Sequence, residues 1–196
     1  MSAPFAIATS RLRLRWLTAS DADFVLRLVN DAEWLRFIGD KGAPDLDGAR
    51  RYIEAGPAAM YREFGFGLNR VALGDSDRAI GICGLLQRAT LAAPDLGFAL
   101  LPAWRGQGYA LEAARAVLEH ARETLALPRV LAIVDAQNTP SINLLSRLGF
   151  ERSGEHSDET GSRALDLYAL DLHAAGDPGD ERVANRTRRP ARAAGI

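Results

Sequence analysis

The chain has one cysteine, one lysine and three histidines among 196 residues. Its single thiol, Cys83, excludes a disulfide framework. It sits in the apolar run Ile80 to Cys83 with no histidine near it in sequence, so it reads as a small buried hydrophobe and not as a nucleophile. His120, His156 and His173 are scattered without metal-ligand spacing, which argues against a metal site and a histidine dyad alike. No apolar run reaches membrane-spanning length, and the N-terminus lacks a charged segment followed by an apolar one. A soluble, intracellular, cytoplasmic protein with no membrane partner is therefore expected. A net charge of −1 and a pI near 6.3 disfavour bulk electrostatic binding of nucleic acid. What is abundant is apolar: 47% hydrophobic content in a chain of one-domain length is enough for a sizeable core.

The chain is organised around the stretch from Pro94 to Ala116. Leu96, Phe98 and Leu100 alternate with smaller residues as in a buried strand, Pro102 ends that pattern, and Gly106 and Gly108 bracket a turn ahead of a helix-forming run. Bare amides at a helix start, a favourable macrodipole and glycines without a Cβ make such a turn an anion site, and Arg105 adds a full charge. A dinucleotide fingerprint would need a third glycine where Leu111 stands. A Walker loop would need Lys and Ser/Thr where Tyr109 and Ala110 stand. A strand-to-helix turn without a ligand is the remaining plain alternative, and the downstream half of the chain has to decide. There, Val130 to Val134 is a strand-length apolar run, and Thr139 with Pro140 reads as a helix start. Leu144, Leu145 and Leu148 keep helical spacing up to Gly149.

Arg105, Gly108 and Ala110 form an R-x-x-G-x-A pattern that resembles the pyrophosphate-binding motif of the GCN5-related N-acetyltransferases. Asn138-x-x-Ser141 followed by Leu148-Gly149-Phe150 resembles the RimJ/RimL type, the ribosomal-protein branch of that family. With the opening RLRLRWLTASDAD and the strand Ile80 to Gly84, the likeness covers roughly Ser10 to Leu172. It implies an α/β fold with a mixed, mostly antiparallel sheet, a splayed parallel strand pair and helices on both faces. The element order, helices, antiparallel strands, then strand-helix-strand-helix, independently suggests an α/β sandwich around a mixed sheet.

In order, residues 1–9 read as an N-terminal extension, 10–173 as one acetyltransferase domain and 174–196 as a disordered arginine-rich tail, better explained as solvated than as RNA-binding. Arg11 to Trp16 reads as a strand. Thr18 or Ser20 caps a helix to about Asn30, Glu33 to Ile38 makes a further helical turn or two, and Asp45 or Asp47 opens a helix that Gly56-Pro57 interrupts. Phe66 to Leu73 and Ala79 to Leu86 form a hairpin, and Ala164 to Leu172 a closing strand. The family's acceptor groove borders the first helical region, which makes Trp34, Phe37 and Tyr61 candidate substrate contacts, with core packing as the alternative for each.

Acetyl transfer to an amine requires a placed thioester, a neutral amine and a proton donor for the leaving thiolate. The resemblance implies that two parallel strands splay after Phe98 and Val134. It lays Phe98, Ala99 and Leu100 along the pantetheine arm of acetyl-CoA, with Arg105, Gly106, Gln107, Gly108, Tyr109 and Ala110 around the pyrophosphate and Asn138 bonding the arm from the other side. Many relatives carry a proton-donating tyrosine where this chain has Leu145, and the resemblance to the RimL-like branch implies that Ser141 serves the leaving thiolate, with a local backbone bond as its alternative use. Glu33, Asp95 and Asp135 are candidate bases, and Glu112 reads as structural. The expectation is an acetyl-CoA-dependent N-acetyltransferase acting on a protein N-terminus or a small-molecule amine, with a homodimer left open. A non-catalytic CoA-binding regulatory or scaffold module is its rival.

Overall fold

A computed structural model describes residues 5–157 and 163–172. His173 and the arginine-rich tail 174–196 lie outside the described residues. Eight strands form one sheet: β1 (Ala6–Ala8), β2 (Leu12–Trp16), β3 (Leu68–Leu73), β4 (Ala79–Leu86), β5 (Asp95–Leu100), β6 (Arg129–Val134), β7 (Glu151–Ser157) and β8 (Ala164–Asp171). Their spatial order is β1-β2-β3-β4-β5-β6-β8-β7, and every neighbouring pair is antiparallel except β5 with β6. The helices are α1 (Ala22–Val29), α2 (Ala32–Phe37), α3 (Leu46–Ala55), α4 (Pro57–Phe64), α5 (Tyr109–Glu123) and α6 (Thr139–Arg147).

Alternation along the strands divides the core between two faces. Leu12, Leu14, Val71, Ile80, Cys83, Leu96 and Leu100 pack with α5 and with Leu145 of α6. Leu68 and Ile82 pack with Phe24, Leu28, Trp34 and Ile53 from α1 to α3. Cys83 is 1% exposed and its thiol is pushed up to about 12 by burial, which keeps it an uncharged core atom. Gly56 and Pro57 part α3 from α4 as their chemistry requires, with proline in the first turn and Gly65 at φ +76° ending α4.

One ionic cluster pins the first helical layer to the sheet. Asp21, 7% exposed, accepts from Arg15 at 2.7 and 2.8 Å and from the Thr18 amide at 2.9 Å, with the Arg70 guanidinium 3.3 Å away. Burial works against its ionisation. The bonds from Arg15 and Thr18 outweigh that cost and hold the carboxyl below its ordinary range. Among the described residues, no helix is long and apolar enough to cross a membrane.

Two strands depart from the expected set. Residues 6–8, placed in an extension by sequence, form the edge strand β1 against β2. β7, Glu-Arg-Ser-Gly-Glu-His-Ser, has no apolar alternation because most of it is exposed at the other edge. It is read as a strand only once its pairing with β8 is seen.

Candidate active site

β5 and β6 share a single register pair, Asp95 with Leu131, closed by the Leu131 amide on the Pro94 carbonyl at 2.9 Å. The strands therefore part at the beginning of β5, earlier than the expected separation after Phe98 and Val134. From Leu96 to Leu100, β5 keeps β4 on one edge and, among the described residues, has no strand on the other. Such an edge presents backbone amides and carbonyls to whatever enters the gap.

The far end of β5 leads through a short 3-10 turn, Pro102–Trp104, into α5. Gly106 and Gly108 adopt φ +73° and +81°, the left-handed region that an L side chain enters at a cost. A Cβ at Gly106 would meet nothing within 4 Å, and the N-terminus of α5 carries no side-chain cap. The turn is thus an open cradle of amides at a helix start, which suits a pyrophosphate. Arg105 departs from expectation. Its Nε donates to the Leu100 carbonyl at 2.9 Å and its terminal nitrogen pairs with Asp31, so its charge is already matched. Arg11, also ion-paired, is the guanidinium that touches the cradle itself. It bonds Glu112 at 2.6 Å and the Gln107 carbonyl at 3.2 Å and lies 4.4 Å over the Tyr109 ring. Glu112 also accepts from Thr9, Ser10 and the Arg11 amide. Burial raises its pKa, those bonds outweigh the effect, and its carboxyl sits below the usual range. Glu112 is a clamp between the β1–β2 connection and α5, the structural use expected of it.

Across the gap, α6 starts one residue earlier than Thr139-Pro140 suggested. Asn138 is its N-cap, with Oδ1 accepting from the Ser141 amide at 3.2 Å. Capping commits that amide oxygen to the helix and leaves the side-chain NH2 of Asn138, a residue of the cavity wall, as its remaining donor. Ser141 makes no hydrogen bond through Oγ among the described residues, whereas Ser146 in the same helix bonds the Ile142 carbonyl at 3.1 Å. The local backbone use that competes for an early-helix serine belongs to Ser146.

A cavity of about 560 Å³ runs through the gap. Its walls include Phe98 and Ala99 of β5, Ala132 to Asp135, and Asn138, Ser141 and Leu145 of α6, together with Trp34, Phe37, Tyr52 and Met60 from the opposite helical layer. Leu100 turns into the core, and Arg105 to Ala110 lie past the strand end, outside the cavity. Tyr61 is a core residue. It stacks on Trp16 at 4.5 Å, and its hydroxyl accepts from the Leu17 amide at 3.0 Å and donates to the Leu68 carbonyl. Of the three candidate bases, Glu33 does not line the cavity. Asp135 is engaged by the Gln137 amide at 2.7 Å and by Arg163, which outweigh its burial and keep its carboxyl low. Asp95 is 2% exposed, receives Arg88 Nε at 3.0 and 3.2 Å, and is pushed up by burial. Tyr52, Arg88 and Arg163 have no local sequence signal, since their partners lie in other elements.

An acetyltransferase (GNAT) domain profile matches residues 11–151. An uncharacterized N-acetyltransferase, p20 of Bacillus licheniformis, is 29% identical over 172 residues, covering 84% of this chain and 93% of that protein. The ribosomal protein uS5-alanine N-acetyltransferase of Escherichia coli is 31% identical over 86 residues, 43% of this chain and 44% of its own. Among solved structures, an acetyltransferase from Agrobacterium tumefaciens superposes with a TM-score of 0.73 at 28% identity, covering 87% of this chain and 95% of that one.

Proposed function

The chain belongs to the acetyltransferase (GNAT) domain family and is an acyltransferase, and from that premise we propose that it transfers an acetyl group directly from acetyl-CoA to a primary amine. The observation that carries the reading is the parting of β5 and β6 directly after Asp95 and Leu131, with one cavity joining Ser141 on one side to Trp34 and Phe37 on the other. The open glycine cradle before α5 fits a pyrophosphate, and the free edge of Phe98 to Leu100 fits a pantetheine arm. Acetyl-CoA would supply an activated acetyl thioester there.

In this reading the chain's own groups do the following. Gly106 to Ala110 bind phosphate through amides, with the Arg11 guanidinium, paired to Glu112, packed beside Gly108 and over Tyr109. Asn138 orients the arm with its side-chain NH2 while its oxygen caps α6. Ser141 Oγ holds the proton for the leaving sulfur, the place taken by a tyrosine in many relatives and closed here by Leu145, 1% exposed. Asp95 takes the proton lost by the amine. It stands in the cavity wall with its carboxyl raised by burial, a better acceptor than Asp135. A thiol-release assay over a panel of primary amines, with the acetylated product identified by mass, tests the proposal. Release should be amine-dependent and should fall in Asp95→Asn without loss of acetyl-CoA affinity. Binding without release for any amine would contradict it.

A further inference from the structure

α2 lies across the opening between the two diverging strands, and both its ends are tied down. At its start, the N-cap Asp31 accepts from the Glu33 and Trp34 amides and pairs with Arg105, whose Nε is bonded to the last carbonyl of β5, that of Leu100. At its end, the Arg36 and Phe37 carbonyls accept from Arg163 at 3.1 and 3.2 Å, and the same guanidinium pairs with Asp135 just past β6. Arg36 also reaches Gln137 at 3.4 Å. The helix therefore bridges the end of β5 to the end of β6. Trp34 is wedged under it at 4% exposure, with its indole N–H on the Gly39 carbonyl at 3.1 Å and its ring edge-on to Tyr52.

This bridge decides what fits beside the thioester. An extended peptide entering between β5 and β6 on the α2 face would have to displace α2 together with the Asp31 and Arg163 ties. The cavity of about 560 Å³ also contains the Ser141 side of the gap, so the acceptor shares that space with the end of the cofactor arm. Its acceptor side combines apolar Phe37, Ile38, Met60, Ile82 and Leu86 with the Tyr52 ring, and Asp40, Lys41, Thr90 and His156 add polar groups to the same wall. Asp95 is matched by Arg88 and Asp135 by Arg163, so the walls offer no row of unmatched carboxylates for a polycation. Resting on the N-acetyltransferase reading above, we infer that the acceptor is a compact primary monoamine with an apolar or aromatic body, and that Arg163 is a positioning residue that enforces this choice by holding α2 across the gap.

The test uses the full chain loaded with CoA or acetyl-CoA and three probes: 2-phenylethylamine, spermidine and an alanine-initiated pentapeptide. Calorimetry reads acceptor binding to the CoA complex, and thiol release reads turnover. Wild type should bind and acetylate 2-phenylethylamine, with kcat/KM at least about tenfold above both other probes, the size of discrimination a shaped apolar pocket supplies. Arg163→Ala should raise KM for the arylalkylamine and raise kcat/KM for the pentapeptide. Its affinity for acetyl-CoA should stay within about twofold, and Arg163→Lys should fall between it and wild type. A purely structural arginine would instead lower turnover of all three probes together with the melting temperature, and that outcome overturns the positioning role. Wild type preferring the pentapeptide or spermidine overturns the substrate class while leaving the acetyltransferase reading intact. Failure to bind acetyl-CoA at all would remove that reading and this inference with it.

Discussion

At the scale of single residues, the chemistry comes down to which polar groups their neighbours have already claimed. Ser141 and Ser146 lie five positions apart on α6, yet only Ser146 gives its hydroxyl to the helix backbone. If Ser141 Oγ serves the leaving sulfur, Ser141→Ala should lower kcat by roughly 10²-fold, a usual contribution of a positioned proton donor. Its acetyl-CoA dissociation constant should remain unchanged, and Ser146→Ala should match wild type. Steady-state kinetics beside a calorimetric titration checks both. Equal losses in the two variants would point to helix destabilisation and not to proton donation. Arg105 shows the same principle in reverse, because a full charge read from sequence is matched by Asp31, 74 residues away.

At the scale of elements, the strongest anchor is Asp21, which ties the start of α1 to β2 and β3 through Arg15 and Arg70. Asp21→Ala would leave Arg70, 9% exposed at its side chain, without its nearest buried partner. The expected loss is about 3 kcal/mol, roughly 6–12 °C in melting temperature for a chain of this size. Differential scanning calorimetry reads it directly, and a shift within a degree of wild type would show that Asp77 alone satisfies Arg70.

Legibility follows the same division. Strands with a periodic apolar face, β3 to β6, stand in the sequence at nearly their observed bounds, because burial on one face forces the pattern, whereas α5 runs on to Glu123, well past the helix-forming run Ala110 to Ala116. β7 lacks that face, and β1 is three residues long, so neither leaves a periodic trace. The glycine cradle was legible because positive φ calls for glycine locally, and Asn138 and Ser141 because one helix start holds both. The ties made by Arg11, Asp31, Arg88 and Arg163 were not. Apart from Arg88, each joins groups from 28 to more than 100 positions apart, and any of 24 basic residues is an equal candidate until the chain is folded.

At the scale of the whole molecule, the carboxylates set the response to acid. Asp21, Glu112 and Asp135 are held below their ordinary values, so the stability they add is full above the unfolded-state carboxylate range and is lost as pH falls through their folded values. Asp95 runs the other way: raised by burial, it disfavours the fold while ionised, and protonation relieves that cost. Asp171, on the surface, is held low as well by Arg129, and four lowered carboxylates against one raised predict a melting temperature that declines once pH drops below about 4, with Asp21→Asn flattening the decline. A melting temperature that held steady down to pH 2 would contradict this balance. The central claim is that the parted strands and the open glycine turn form one acetyl-CoA site. The measurement that tests it most directly is calorimetric titration of acetyl-CoA into the full chain and into Gly108→Trp, whose side chain would fill the cradle. The account predicts one micromolar-range site per chain in the wild type and none in the variant. No binding to the wild type, or undiminished binding to Gly108→Trp, would contradict it.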